Sequence, residues 1–260
     1  MIIKANFDPI TAKEMIIIKS YLKKNKEVFL YINDAGVASK EVRKRLLKKA
    51  IKPYRHIYII DEAIADLEIE DDEELVRSGA YHLCARGIQK DLIEKGYYFE
   101  YLVEKMCSEY RYKHSMSVAS TAEKLAKHYG INEKYVYNIG LLHDVTKDLS
   151  LENNKQLLEG QDEILKYSSK VWHSFSAPIW LKKNLGIKDK RFLNAIERHT
   201  LGNTKTIYDD IVYVADKIEP LRTYDITKET KLAYQDIKKA ALFIREEVKE
   251  IIESKENNHV

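Results

Sequence analysis

The chain has 260 residues, 45% of them hydrophobic, which is enough to bury the core of one large domain or two ordinary ones. Its 44 basic and 41 acidic residues are mixed along the chain, so the net charge of +3 predicts no basic surface on the scale that nucleic acids need. Two cysteines are too few for a disulfide framework, and no apolar run approaches the roughly 20 residues that span a bilayer. We therefore expect a cytoplasmic protein that binds neither nucleic acid nor a membrane.

Strand and helix patterns alternate over residues 1–105. Three β-rich runs are separated by two helical patterns, in the order 1–5, 13–24, 27–32, 39–51 and 56–61. This alternation is typical of a parallel sheet with helical crossovers. The sequence therefore predicts an N-terminal α/β domain of the Rossmann-like type.

Helical periodicity replaces the strand patterns from residue 106 onward, which predicts an all-α bundle over residues 106–255. Within it, Gly140 is expected to let two helices approach each other closely. The last helix is expected over residues 231–255, where it covers the bundle or forms a homodimer contact. Residues 256–260 are polar, and we expect them to be a disordered tail.

Six polar side chains of the predicted bundle fall at the end of an apolar helical run or on its inward stripe. An imidazole or a carboxylate at such a position is costly to bury unless something binds it, and a divalent cation is the usual partner. Taken alone, a single histidine of this kind is more often an ordinary core or surface residue. Because the candidates come from five different helices, their conjunction predicts a metal site. The candidates are His114, His143, Asp144, His173, His199 and Asp216.

The motifs around these residues resemble those of the HD superfamily of metal-dependent phosphohydrolases. The similarity is greatest to the bacterial YqeK group of that superfamily, the symmetric diadenosine tetraphosphate hydrolases. The matching segments are His114-Ser115, HDVTKDL at 143–149, His173-Ser174, His199-Thr200-x-Gly202 and ADKIEPLR at 215–222. The resemblance implies that the bundle is an HD-domain fold and that it hydrolyses diadenosine tetraphosphate into two ADP.

The same resemblance implies a dinuclear metal centre that generates a bound hydroxide as the nucleophile. One ion is expected on His114, His143, Asp144 and Asp216, and a second on His173 and His199, with Asp144 available to bridge the two. Mixed imidazole and carboxylate ligands favour iron, with manganese or another divalent metal as alternatives. The expected catalytic residues are Asp144, Lys147 and Arg222. The expected substrate contacts are Lys147, Thr200, Gly202 and Arg222.

The loop at 6–14 (NFDPITAKE) resembles the nucleotide-binding turn of adenylyl- and cytidylyltransferases, such as phosphopantetheine and nicotinate-nucleotide adenylyltransferases. That turn reads G-x-F-D-P-x-T/H-x-G-H. In this chain Lys13 takes the place of the last glycine and Glu14 the place of the histidine that meets the phosphate. A carboxylate there repels the phosphate, so we expect a nucleotidyltransferase-like fold without transferase activity. The expected degenerate nucleotide site consists of Phe7, Asp8, Thr11, Glu14 and Arg86.

Two alternatives stay open at the level of sequence. The bundle could be a nucleotidase or pyrophosphohydrolase that acts on another small nucleotide, which product analysis would distinguish. The protein could instead be a non-catalytic nucleotide sensor, as the degenerate motif at 6–14 suggests. The complete set of metal-ligand candidates in the second domain favours an enzyme.

Overall fold

The computed structural model describes residues 1–70 and 73–257. The chain divides into two compact units, Met1–Leu102 with Asn184–Gly186, and Val103–Lys183 with Ile187–Val260. The boundary expected at residue 105 falls inside a helix, Phe99–Met106. The sequence did not predict that the short segment Asn184–Gly186 belongs to the N-terminal unit.

The N-terminal unit is built on a parallel sheet. In chain order its elements are β1 (Ile2–Ala5), α1 (Ala12–Leu22), β2 (Val28–Ile32), α2 (Lys40–Ile51), β3 (Ile57–Ile60), β4 (Leu67–Glu68), α3 (Glu73–Arg77), α4 (Gln89–Lys95) and α5 (Phe99–Met106). The strand order is β3-β2-β1-β4 and every pairing is parallel. The predicted α/β class is therefore confirmed. The two-residue β4 lies in an acidic stretch that carries no strand pattern.

Local sequence explains where the first two helices begin. The Thr11 hydroxyl accepts the Glu14 N–H at 3.1 Å, and the Glu14 carboxylate accepts the Thr11 N–H at 2.7 Å, so a complete capping box starts α1. Ser39 caps α2 by accepting the Val42 N–H. Glu14 is fully buried in this arrangement. Its carboxylate therefore accepts a hydrogen bond at the N-terminus of its own helix.

The second unit is all-helical, as predicted. Its helices are α6 (Glu109–His128), α7 (Glu133–Leu142), α8 (Leu151–Leu157), α9 (Asp162–Leu165), α10 (Trp172–Asn184), α11 (Lys190–Arg198), α12 (Ile207–Ile218), α13 (Thr227–Gln235) and α14 (Ile237–Asn257). Helices α6 and α7 approach closely at Gly140, where an added Cβ would lie 3.0 Å from the Ala119 Cα. The glycine therefore does what the sequence predicted, because a side chain would push the two helices apart.

The single helix predicted over residues 231–255 is wrong. The helix breaks at Asp236, whose backbone is extended with a φ of −158°, and its carboxylate accepts the Lys239 N–H at 3.0 Å. A short acidic side chain in this position caps a new helix instead of continuing the old one. Helix α14 then runs to Asn257, so the first two residues of the expected tail are helical, and residues 258–260 lie outside the described residues. Within residues 1–70 and 73–257 no helix is both long and apolar enough to cross a bilayer.

Candidate metal centre

The six predicted ligands converge in the second unit. His114 is on α6, His143 is the C-cap of α7 with Asp144 next in the chain, and the remaining three come from separate helices. Those three are His173 in the first turn of α10, His199 at the C-cap of α11, and Asp216 in the last turn of α12. All six side chains are buried. Helix ends thus bring polar atoms together that no single helix could hold.

Asp144 lies between two pairs of imidazoles. Its Oδ2 atom is 3.9 Å from His114 Nε2 and 3.7 Å from His143 Nε2. Its Oδ1 atom, on the other side, is 3.1 Å from His173 Nε2 and 3.4 Å from His199 Nε2. The cluster therefore consists of two ligand groups that share one carboxylate, His114 with His143, and His173 with His199.

Asp216 joins the first of these groups from the opposite side. Its Oδ1 atom is 3.2 Å from His114 Nε2 and 3.8 Å from His143 Nε2. Metal–nitrogen and metal–oxygen bonds of about 2.0–2.2 Å leave neighbouring ligand atoms about 3 Å apart or slightly more. The spacings around His114 and His143 fit that requirement.

Backbone carbonyls fix the orientation of two of the rings. His143 Nδ1 donates to the Gly140 carbonyl and His199 Nδ1 donates to the Ile196 carbonyl, both at 2.6 Å. With the proton on Nδ1, the Nε2 lone pair of each ring faces a carboxylate oxygen of Asp144. The buried His143 Nε2 has no hydrogen-bond partner among the described residues. Two lone pairs facing each other are repulsive unless a cation lies between them, which is the arrangement that metal-binding histidines adopt.

Burial keeps the rings of His143 and His173 neutral. It lowers the pKa of His143 to about 3 and that of His173 to about 4, even though Asp144 acts in the opposite direction. Burial by itself raises the pKa of Asp144, but the neighbouring imidazoles, His143 first, hold it well below its usual range. At neutral pH the unprotonated imidazoles of His143 and His173 therefore lie beside the ionised carboxylates of Asp144 and Asp216. That is the protonation state in which these groups bind a divalent metal.

A second layer of hydrogen bonds supports the rings and the turn that follows α7. His114 Nδ1 is 3.2 Å from Oε1 of Glu219, a buried carboxylate just after α12. Beneath the turn, the Thr146 hydroxyl contacts the Ser176 hydroxyl at 2.9 Å, and Ser176 donates to Asn154 at 2.6 Å. These three polar side chains are buried and bond to one another and to nearby backbone carbonyls, among them the His173 carbonyl, which accepts the Thr146 hydroxyl at 3.1 Å. They connect the turn that carries Asp144 to the helix that carries His173.

Cationic side chains surround the ligand cluster. The cavity in front of it has a volume of about 310 Å³ and is lined by five of the six predicted ligands, without His143, together with Tyr110, Thr200 and four cations. The four cations, called the cationic rim below, are Arg111, Lys147, Lys217 and Arg222. Arg111 binds Asp144 Oδ2 at 2.6 Å, and Arg222 binds Asp216 Oδ1 at 2.7 Å. The cavity therefore presents positive charge around a buried acidic and imidazole floor.

The predicted substrate contacts have different positions. Three of them line the cavity: Lys147, Thr200 and Arg222. The Lys147 ammonium lies 2.9 Å from His173 Nδ1, and burial at this position lowers the pKa of Lys147. Gly202 is not among the lining residues in the described part of the chain. It has a φ of +65° in the turn after α11, and a Cβ there would lie 2.7 Å from the Tyr213 ring. The absence of a side chain at Gly202 allows the turn to pack against the Tyr213 ring.

Four residues of the site were not predicted to belong to it from the sequence: Tyr110, Arg111, Lys217 and Glu219. Arg111 is one helical turn before His114 on α6, and Glu219 is one turn after Asp216. Residues three or four apart share a helix face, so this spacing was the available signal. In the sequence Glu219 was noted only as part of the motif at 215–222, and Arg111 fell at the start of a helix, where an arginine is usually solvated.

The residues of the expected N-terminal nucleotide site are mostly buried, and the polar ones among them that are buried form hydrogen bonds within the N-terminal unit. Asp8 accepts the Tyr98 hydroxyl at 2.7 Å and the Ala38 N–H at 3.2 Å, while its own N–H donates to Glu73. Thr11 and Glu14 form the capping box of α1, and Phe7 is buried with a φ of +51°. Arg86 is exposed.

Comparison with known proteins identifies the second unit. An HD domain matches residues 111–221, a range that contains all six candidate ligands. The symmetrical bis(5'-nucleosyl)-tetraphosphatase of Bacillus subtilis is 30% identical over 145 residues, covering 54% of this chain and 78% of that protein. The chain belongs to the HD-domain family. In this HD-domain protein the buried imidazole and carboxylate groups have the composition and spacing that could hold a divalent metal.

Two further relatives of this HD-domain protein bear on its organisation. A probable nicotinate-nucleotide adenylyltransferase/Ap4A hydrolase of Mycoplasma genitalium is 31% identical over 159 residues, covering 58% of this chain but only 45% of that longer protein. The crystal structure of a predicted HD superfamily hydrolase involved in NAD metabolism, from Clostridium acetobutylicum, superposes with a TM-score of 0.55 and 30% identity. The superposition covers 60% of this chain and 86% of that one.

Proposed function

We propose that this HD-domain protein is a metal-dependent phosphohydrolase that cleaves diadenosine tetraphosphate symmetrically into two ADP. The observation that carries the proposal is the carboxylate of Asp144 shared between two imidazole pairs inside a cationic rim. Such a site combines metal ligands with positive charge that matches a polyphosphate. The proposal is supported by relatives named symmetrical bis(5'-nucleosyl)-tetraphosphatases and by one named a probable Ap4A hydrolase.

Two ions would be held by the two ligand groups. His114, His143 and Asp216 would hold one and His173 and His199 the other, and Asp144 would offer one oxygen to each. Iron is the metal we favour, with manganese as the alternative, because both accept mixed imidazole and carboxylate ligands. Divalent ions in such a site supply Lewis acidity, which activates water near neutral pH and offsets phosphate charge.

The chain's own residues would bind and orient the phosphates. Arg222 offers a planar guanidinium with several N–H donors, and Lys147 offers a compact positive charge. Because the Lys147 ammonium is partly buried, water competes less with a phosphate for it. Thr200 lies within 3.3 Å of both His173 Nε2 and His199 Nε2, so its hydroxyl can hydrogen-bond a phosphate oxygen at that end of the cavity. We infer that Lys147 and Arg222 stabilise the charge of the leaving phosphate, and that Asp144 orients both halves of the centre.

The test is product analysis with a matched control. The protein purified with iron or manganese is incubated with diadenosine tetraphosphate, and nucleotides are separated by ion-exchange chromatography. ADP as the one nucleotide product supports the proposal, while AMP with ATP points to asymmetric cleavage and contradicts it. Asp144→Ala is expected to abolish turnover, and Asp162→Ala, an exposed aspartate of α9, to leave it unchanged. Equal rates in Asp144→Ala and the parent protein would remove the catalytic claim.

A panel of other nucleotides tests the alternative substrate class. Mononucleotides and other dinucleoside polyphosphates are assayed under the same conditions, and kcat/KM is compared. We expect the tetraphosphate to be preferred. A preference for a mononucleotide would redefine the protein as a nucleotidase or pyrophosphohydrolase.

We also propose that the N-terminal unit has no nucleotidyltransferase activity. Glu14 stands where the resembling enzymes have a histidine, and its carboxylate is held by the Thr11 N–H and hydroxyl at 2.7 and 3.1 Å. A buried negative charge there opposes the charge that develops on a transferred phosphate. Release of pyrophosphate from ATP by the Asp144→Ala protein, with nicotinate mononucleotide or phosphopantetheine as acceptor, would contradict this proposal.

A further inference from the structure

Tyr110 lies at the mouth of the cavity that contains the candidate metal ligands. It is in the first turn of α6, it lines the cavity beside Arg111, and 69% of it is exposed. Among the lining residues in the described part of the chain, it contributes the one phenyl ring. An exposed ring facing an otherwise charged and polar cavity leaves apolar surface in water that a flat ligand can cover.

The size and charge of the cavity determine which part of a nucleotide fits inside it. About 310 Å³ is at the lower end of the roughly 300–1,000 Å³ typical of small-molecule sites. A dinucleoside tetraphosphate has two bases and two sugars in addition to its phosphates. The four cations of the rim attract the phosphates into the cavity, so the nucleosides extend to its mouth.

Arg111 connects the phosphate region to Tyr110. Its guanidinium carbon is 5.9 Å from the centroid of the Tyr110 ring, while one of its nitrogens reaches Asp144 inside the cavity. A phosphate held near Arg111 therefore leaves the attached nucleoside within reach of the adjacent ring. The exposed ring offers a π-face to any base, and the positive guanidinium beside it favours electron-rich heterocycles.

We propose that Tyr110 is the surface on which a nucleobase of the substrate stacks, and that it gives the site its preference for nucleotides over inorganic polyphosphates. This rests on the proposed function, because it assigns the nucleoside end of the same substrate. The base lies against the Tyr110 ring at the cavity mouth, and the phosphates reach inward past Arg111. Stacking requires only a ring face, so phenylalanine replaces tyrosine without loss.

The experiment compares Tyr110→Ala and Tyr110→Phe with the parent protein, all purified with manganese. Tyr234→Ala is the matched control, since Tyr234 is a partly exposed tyrosine of α13 that packs against His128. We measure kcat and KM for diadenosine tetraphosphate, and by calorimetry the Kd of ADP and of inorganic pyrophosphate. Circular dichroism and thermal unfolding establish that each variant is folded.

We expect Tyr110→Ala to raise KM for the dinucleotide and Kd for ADP by about 5- to 150-fold, the loss typical of one base–aromatic stack. Pyrophosphate binding stays within twofold, and Tyr110→Phe and Tyr234→Ala behave like the parent protein. Unchanged ADP affinity in Tyr110→Ala, or an equal loss for pyrophosphate, overturns the inference. If the parent protein binds ADP in a Tyr110-dependent way but does not cleave the dinucleotide, the proposed function fails and the stacking role stands.

Discussion

Replacing Glu219 with glutamine tests whether the hydrogen bond behind His114 contributes to metal binding. The Glu219 carboxylate is 2% exposed, lies 3.2 Å from His114 Nδ1, and also accepts the Leu221 N–H at 2.7 Å. It therefore holds the His114 proton on Nδ1 and leaves Nε2 free for a metal. Glutamine keeps the shape and an acceptor oxygen but removes the negative charge that makes the ring a stronger ligand.

The expected magnitude follows from two independent estimates. A buried hydrogen bond to a charged group contributes about 1.5–3 kcal/mol. Loss of the outer partner of a metal-binding histidine weakens metal affinity about 10- to 100-fold, which corresponds to about 1.4–2.7 kcal/mol. The estimates agree, and because the amide can still accept a hydrogen bond we expect Glu219→Gln near the lower end, with about tenfold weaker metal binding.

The assay is a competition titration of bound manganese against a chelator of known affinity, followed by kcat/KM at saturating metal. Glu197→Gln is the matched control, because Glu197 is an exposed glutamate of α11. We expect the lost activity of Glu219→Gln to recover when excess metal is added. Metal affinity equal to that of the parent protein would refute the reasoning, since it would mean that Glu219 does not influence the His114 ring.

Three further predictions concern stability. Gly140→Val places methyl groups against a backbone already 3.0 Å from an added Cβ, so we expect a loss of about 1–3 kcal/mol in unfolding free energy, measured by urea denaturation. Glu14→Ala removes half of the α1 capping box, and a loss of about 1 kcal/mol is expected in the same measurement; no loss would contradict the helix-capping role. In protein stripped of metal by a chelator, His143 and His173 have pKa values of about 3 and about 4, below the unfolded value of about 6.5. The unfolded state then binds more protons, so the melting temperature should fall as pH is lowered from about 6.5 to about 4, and a flat profile would contradict it.

The positions of the candidate ligands were predictable because each marks the end of a helix or one helix face. Apolar periodicity of 3.6 residues places His114 on the inward face of α6, and the end of the apolar run places His143 and His199 at C-caps. The family motifs around the six residues pointed to one site. Helical periodicity could not predict how the six residues are arranged within that site, where Asp144 directs one carboxylate oxygen to each imidazole pair.

Features that depend on partners distant in sequence were missed for a physical reason. Arg111 reads as an ordinary surface arginine until the turn after α7 brings Asp144 to 2.6 Å from it. A carboxylate such as Asp236 can continue a helix or cap a new one with similar local energy, so packing against neighbouring helices decides between the two. Short-range sequence patterns do not decide either outcome.

Sequence by itself determined the two fold classes and the identity of the residues that could bind a metal. These follow from interactions within a few residues, which local composition fixes. The tertiary structure decided which lone pairs face each other, which carboxylate supports His114, and that Glu14 caps its own helix instead of facing a ligand. Those outcomes depend on distances of about 3 Å between atoms far apart in the chain, and such distances arise only when the helices pack.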